Sequence, residues 1–210
     1  MGGTRVPRAV GSRPDGDDER KMMEAMLIAV GERGLANTSV EDALDLTDLS
    51  RTRFYECFRN KADCFAQAFE TEAERLCREI LSAGHSHTDW TCGLRAALAR
   101  VLRFVAEKPA RARALLIEGQ FAGGPTSVKY DEVVERLSRA VDSARHGVGT
   151  QHSPPPLTAE FIVATIESTI CTWLIGGSTS NIMSLLPGLV HFSVLFYLGE
   201  EAALQAMDGL

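Results

Sequence analysis

The groups best suited to chemistry cluster in one short run, Ser50-Arg51-Thr52-Arg53-Phe54-Tyr55. In a helix, Arg51, Thr52 and Tyr55 fall together on one side, while Phe54 and Phe58 can turn inward with Leu49. The outer side then presents a guanidinium, hydroxyls and a phenol near a helix N-terminus. Such a set suits a DNA groove: Arg reads guanine through two acceptors, and hydroxyls and backbone N–H groups hold phosphates. Over 50–61, the cations Arg51, Arg53, Arg59 and Lys61 stand against Glu56 alone. Residues 1–14 add Arg5, Arg8 and Arg13 with no acid.

Other chemistries find little support. There is no G-x-S-x-G, no H-E-x-x-H, no phosphate loop and no Cys–His nucleophile context, so an enzyme is not expected. The five cysteines (Cys57, Cys64, Cys77, Cys92, Cys171) are odd in number, widely spaced and without a C-x-x-C. They read as reduced thiols of a cytoplasmic protein. His85-Ser86-His87 is an isolated pair, short of a tetrahedral ligand set. No metal and no cofactor is expected. Residues 1–14 lack an apolar run and do not read as a signal peptide.

The elements that must position the reading set are helical throughout. Residues 1–17 are rich in Gly, Arg, Pro and Asp and read as a disordered basic arm. From Asp18, Met22, Met23, Met26, Leu27 and Val30 recur at helical spacing, and Gly34 sits where a C-cap wants a left-handed residue. Thr38 and Glu41 form an expected capping box. The run 46–49 reads as a turn, in which Asp48 can occupy a left-handed conformation, though less readily than Gly. Ser50 caps a helix to about Phe58, and Asn60 caps another from Lys61 to about Leu81. Helices are further expected over 89–107, 109–121, 127–145, 158–175 and 185–207. The loop 146–156 contains Pro154-Pro155-Pro156. Two short helices behind a longer one, separated by a tight turn, form a helix-turn-helix.

Residues from about Arg20 to Phe65 resemble the DNA-binding domain of the TetR (tetracycline-repressor-like) family. The residues that carry the resemblance are Gly34, Thr38-Ser39-Val40, Leu49-Ser50, Phe54-Tyr55, Phe58 and Asn60-Lys61. The helical remainder, with its Leu198-Gly199-Glu200-Glu201-Ala202 tail, is similar in layout to that family's regulatory domain. Asp48 and Leu44 depart from it, standing where the family usually has Gly and Ala. The resemblance implies an all-α fold of about nine helices. An N-terminal three-helix DNA-binding domain (18–65) is followed by a helical ligand-binding and dimerisation domain (66–210). It implies a ligand-responsive regulator, most simply a repressor, that binds a palindromic operator as a homodimer and is released by a small-molecule effector. By position, Ser50, Arg51, Thr52 and Arg53 form the recognition set. Tyr55, Lys61, Thr38 and Ser39 hold phosphates. Arg53 can instead pair with Glu56, and Tyr55 can be a half-buried aromatic.

The expected effector pocket draws on Phe104, Leu115, Glu118, Phe121, Val134, Ile166, Ile170 and Trp173. Glu118 would suit an amine-bearing ligand, or be solvated or ion-paired instead. Trp173 fits a pocket wall and a dimer interface equally well. No Asp, Glu, Lys or Arg occurs over 168–199. A Gly-Gly-Ser-Thr-Ser-Asn break at 176–181, Pro187 and His191 interrupt that run, so it reads as two helices (about 158–175 and 185–207) buried against a partner copy rather than a membrane span. The alternative is a ligand-independent helical DNA-binding or protein-interaction module. The net charge of −6 would by itself argue against a nucleic-acid partner.

Overall fold

The computed structural model describes residues 16–143, 154–177 and 179–208. α1 (Gly16–Arg33) carries Asp17, Asp18 and Glu19 in its first turn, where carboxylates meet the positive end of the helix dipole. It therefore takes in two residues of the expected arm; the rest of that arm lies outside the described residues. Gly34, at φ +84°, ends α1 and donates its N–H to the Val30 carbonyl at 2.8 Å.

α2 (Val40–Leu44) starts one residue later than expected. Ser39, not Thr38, is its cap: the Ser39 hydroxyl accepts from the Asp42 N–H, and the Asp42 carboxylate accepts from the Ser39 N–H. Thr38 is unavailable because its hydroxyl lies buried, 2.8 Å from the Gly34 carbonyl and 3.2 Å from that of Ala29. The turn that follows is braced by Thr47, whose hydroxyl donates to Leu44 and accepts from the Leu49 N–H. Asp48 does not adopt the left-handed conformation that was open to it. Ser50 caps α3 (Arg51–Cys57), and Asn60 caps α4 (Lys61–His85). Phe54, Phe58, Phe65 and Phe69 pack with Met22 and Met26 into a buried core beneath these helices.

Asp89 caps α5 (Trp90–Glu107), and Pro109 opens α6 (Pro109–Arg113). The expected single helix over 109–121 is interrupted by a π-helical stretch, Ala114–Glu118, before α7 (Gly119–Phe121). α8 (Gly124–Asp142) begins three residues before the expected start; Arg145 and most of the expected loop lie outside the described residues. α9 (Thr158–Ile175) has the expected bounds. A 3-10 stretch (Thr179–Leu185) leads into α10 (Leu186–Leu198), and α11 (Glu200–Asp208) follows. Gly199, at φ +85°, breaks the single helix expected over 185–207. The described residues thus hold eleven α-helical segments rather than nine, and no strand.

α9 and the 181–198 segment are each long and apolar enough to cross a membrane, by length and composition. In the fold, Ile162, Ile170, Val190, Val194 and Tyr197 turn inward. Phe161, Ile175, Leu195, Phe196, Leu204 and Met207 remain exposed.

α1 crosses α6 at very close range. A Cβ added to Gly31 would lie 1.8 Å from the Ala110 carbonyl oxygen, so the two backbones touch directly. Gly31→Ala must force them apart. Overpacking of this kind costs about 1–3 kcal/mol, and the melting midpoint should fall by roughly 2–10 °C. Thermal unfolding followed by circular dichroism tests this; an unchanged midpoint would mean that the crossing yields freely.

Candidate nucleic-acid interface and ligand cavity

The amphipathic split of α3 follows from its short length and its N-cap. Phe54 and Phe58 are fully buried with ring centroids 5.5 Å apart, which leaves residues 51, 52 and 55 outside. Ser50, Arg51, Thr52 and Tyr55 therefore share one exposed surface. Arg51 is 65% exposed, is ion-paired with Glu41 of α2, and lies 5.6 Å from the centre of the Tyr55 ring. Ser39 is exposed at the start of α2, its hydroxyl engaged by Asp42.

Three expected DNA contacts are placed differently. The Thr38 side chain is buried, so it braces the end of α1 and offers no hydroxyl outward. Arg53 is only 17% exposed; it bonds Asp18 of α1 at 2.8 Å and Glu56 at 2.9 Å. The Glu56 and Asp18 carboxylates push its guanidinium pKa upward. Lys61 turns its Nζ to the carbonyls of Leu35 and Thr38, both at 2.7 Å, satisfying acceptors left where α1 ends. Arg53 and Lys61 thus fasten α3 and α4 to α1.

Beyond this region, α4, α5, the π stretch, α8 and α9 line a partly open cavity of about 590 Å³. Of the residues proposed for an effector pocket, Leu115, Val134, Ile166 and Ile170 line it. Phe104, Glu118, Phe121 and Trp173 do not. Phe104 is buried elsewhere with the Arg75 guanidinium 5.9 Å from its ring centre, and Phe121 is 79% exposed. Trp173 packs half-buried against the main core. The wide π turn presents Leu115 and Leu116 to the cavity and carries Glu118 away from it. There the Glu118 carboxylate accepts the Leu35 N–H at 2.8 Å.

Glu167 lines the cavity and was missed from the sequence. Its Oε1 is buried without a hydrogen-bond partner among the described residues, and burial pushes its carboxyl pKa up to about 7. The available signal was a lone acid at the centre of an apolar helix, the last charge before the uncharged run. His85, His87 and Trp90 also reach the cavity wall.

The segment between cavity and α1 is densely tied. Arg113 donates to the Gly31 carbonyl at 3.1 Å and to the Leu174 carbonyl at 2.7 Å. Arg111 pairs with Glu24 of α1 at 2.9 Å and Glu72 of α4 at 3.5 Å. These contacts join α6, directly before the π stretch, to α1, α4 and the end of α9.

A helix-turn-helix joined to a helical lobe with an apolar cavity defines a recurrent class of architecture. No protein-family model and no curated sequence matches this chain. Solved structures do. The transcriptional regulator FadR from Bacillus subtilis, in complex with stearoyl-CoA, is 15% identical with a TM-score of 0.72, over 85% of this chain and 97% of that one. SmeT, the repressor of the Stenotrophomonas maltophilia multidrug efflux pump SmeDEF, is 16% identical with a TM-score of 0.68, over 85% and 89%. A TetR family transcription regulator from Marinobacter aquaeolei VT8 is 19% identical with a TM-score of 0.62, over 81% and 95%. The chain has the TetR-like fold.

A hydrogen bond to a charged acceptor contributes about 1.5–3 kcal/mol. Glu118→Ala should therefore speed hydrogen exchange of the Leu35 amide by roughly ten- to a hundredfold. An unchanged exchange rate would show that Glu118 does not hold the end of α1.

Proposed function

We propose that the chain is a ligand-responsive transcriptional regulator, a cytoplasmic repressor without catalysis or cofactor, that binds a palindromic operator as a homodimer. The observation that carries this reading is the exposed Ser50, Arg51, Thr52 and Tyr55 surface on a TetR-like fold, with an apolar cavity tied to the same helices. Residues 18–65 would read DNA, and residues 66–210 would hold the effector and pair the two copies. Arg51 approaches a base edge, Tyr55 and Ser39 approach phosphates, and Arg53 and Lys61 act by holding α3 and α4 in place. The Arg51–Glu41 pair is exposed on both sides, and such pairs contribute little, so DNA can replace Glu41 as the partner of Arg51.

Effector binding would act through the π stretch. A ligand that pushes on Leu115 and Leu116 displaces Arg113 and Glu118, and with them the Gly31 and Leu35 end of α1. The separation of the two α3 helices then no longer matches the half-sites. This is a population shift, and it needs tighter ligand binding in the DNA-free arrangement.

Footprinting on genomic fragments should reveal a palindrome with half-sites about one turn apart, and no protected site at low salt would favour the helical interaction-module reading. On that site, Arg51→Ala should weaken binding by at least about tenfold in fluorescence anisotropy, since a good base contact is worth about 1–3 kcal/mol. Unchanged affinity would remove Arg51 from the reading set.

The exposed Phe161 and Ile175 of α9 and Leu195 and Phe196 of α10 supply the apolar area a dimer would cover. Sedimentation should show a dimer at micromolar concentration, and Phe196→Glu should raise its dissociation constant by at least about tenfold through a buried charge. A stable wild-type monomer would overturn the pairing.

A further inference from the structure

We propose that the cavity takes an amphiphilic amine: an apolar body with one protonated nitrogen that pairs with the Glu167 carboxylate. This rests on the effector-cavity reading and names its ligand class. The volume of about 590 Å³ suits a ligand of drug-like size. The wall is mostly aliphatic, with Leu76, Ile80, Leu94, Leu98, Val134 and Ile170. No Lys or Arg stands among the described lining residues. The acids there are Glu167 and Asp89, and Asp89 is engaged in capping α5, accepting the Cys92 N–H at 2.8 Å. Glu167 Oε1 is left buried and unpartnered among the described residues.

An unpartnered buried carboxyl is costly, and a bound donor relieves that cost. Head groups differ in what they offer it. A carboxylate or phosphate brings like charge into a wall with no cation. An alcohol donates one hydrogen bond and no charge. An ammonium donates and also neutralises. Burial pushes the Glu167 carboxyl up to a pKa of about 7, and an ammonium beside it draws it toward the ionised form. The ligand class would thus differ from the stearoyl-CoA held by the Bacillus subtilis neighbour. The other titratable groups around the cavity are Cys77 and His85 of α4, His87 and Asp89 before α5, and Tyr130 of α8; α5 and the π stretch bring none. On α9 itself, Cys171 turns its thiol to the Leu116 carbonyl at 3.6 Å.

Calorimetric titration of the full chain with dodecylamine, dodecanol and dodecanoate, below their micelle concentrations, isolates the head group at constant chain length. Dodecylamine should bind tightest at pH 8, with dodecanoate at least about tenfold weaker. Glu167→Gln should erase most of that gap. Amine affinity should fall about tenfold from pH 8 to pH 6 in the wild type, following the ionised fraction of Glu167. A slope that survives Glu167→Gln overturns the assignment, because the cavity histidines would then account for it. Dodecanoate binding as tightly as the amine to the wild type overturns it without any variant, and leaves the effector-cavity reading standing. Binding of none of the three overturns both.

Discussion

Gly31 lets the backbone of α1 lie against the Ala110 carbonyl with no side chain between them. Two helices this close cannot slide without meeting backbone atoms, so the helix-turn-helix and the cavity-bearing lobe share one rigid crossing. The side chains around it follow from that approach. Arg113 reaches the Gly31 carbonyl, and Arg111 reaches Glu24 of α1 and Glu72 of α4, because α6 packs directly on α1. Arg53 and Lys61 extend the same logic outward, tying α3 and α4 to the two ends of α1.

A second close approach lies at Gly119, where an added Cβ would sit 2.2 Å from the Phe69 ring of α4. The segment from Ala110 to Gly119 is thus held at both ends. Between them the chain makes one wide turn, closed by the Gly119 N–H donating to the Ala114 carbonyl. Wide turns of this kind occur often at functional sites, since they re-aim side chains within a helix. Here the turn divides its residues between two tasks: Leu115 and Leu116 form cavity wall, and Glu118 grips the Leu35 N–H. A regular helix would have put Glu118 nearer the cavity, where the sequence reading expected it.

Much of the fold was legible because its signals are local. Gly34, Ser50, Asn60 and Asp89 each terminate or start a helix by hydrogen bonding within a few residues, and Pro109 starts one through its fixed φ at the first turn. The apolar spacing of Phe54 and Phe58 likewise set the outward face of α3. The misreadings were non-local. Thr38 looks like a cap until the Ala29 and Gly34 carbonyls are placed beside it. Arg53 reads as a DNA contact or a partner of Glu56; the Glu56 pair forms, and the tie to Asp18, thirty-five positions away, is the part the sequence hides. Lys61 likewise meets carbonyls that only the packing of α4 on α1 supplies. Cavity residues were the hardest, since periodicity marks a buried face without saying whether protein or a void lies against it. That is why Phe104 and Ile170 look alike in sequence and part ways in the fold.

The acidity of the chain takes on a definite meaning once these ties are drawn. Residues 1–65 hold ten basic and twelve acidic side chains, yet the charges do not act as a sum. Asp18 and Glu56 are consumed by Arg53, Asp63 by Arg59, and Asp42 by the Ser39 cap and Arg33. On the proposed reading face, Arg51 stands beside Glu41, with Asp45 and Asp48 exposed on the turn nearby. Nonspecific affinity for DNA grows with the number of phosphates neutralised. A face with one prominent Arg among carboxylates gains little from an arbitrary duplex. On the proposed reading, affinity would have to come from base contacts and from two copies engaging together, which would make pairing through α9 and α10 a condition of binding. An effector would then need to disturb only the spacing of the two α3 helices to release the whole assembly.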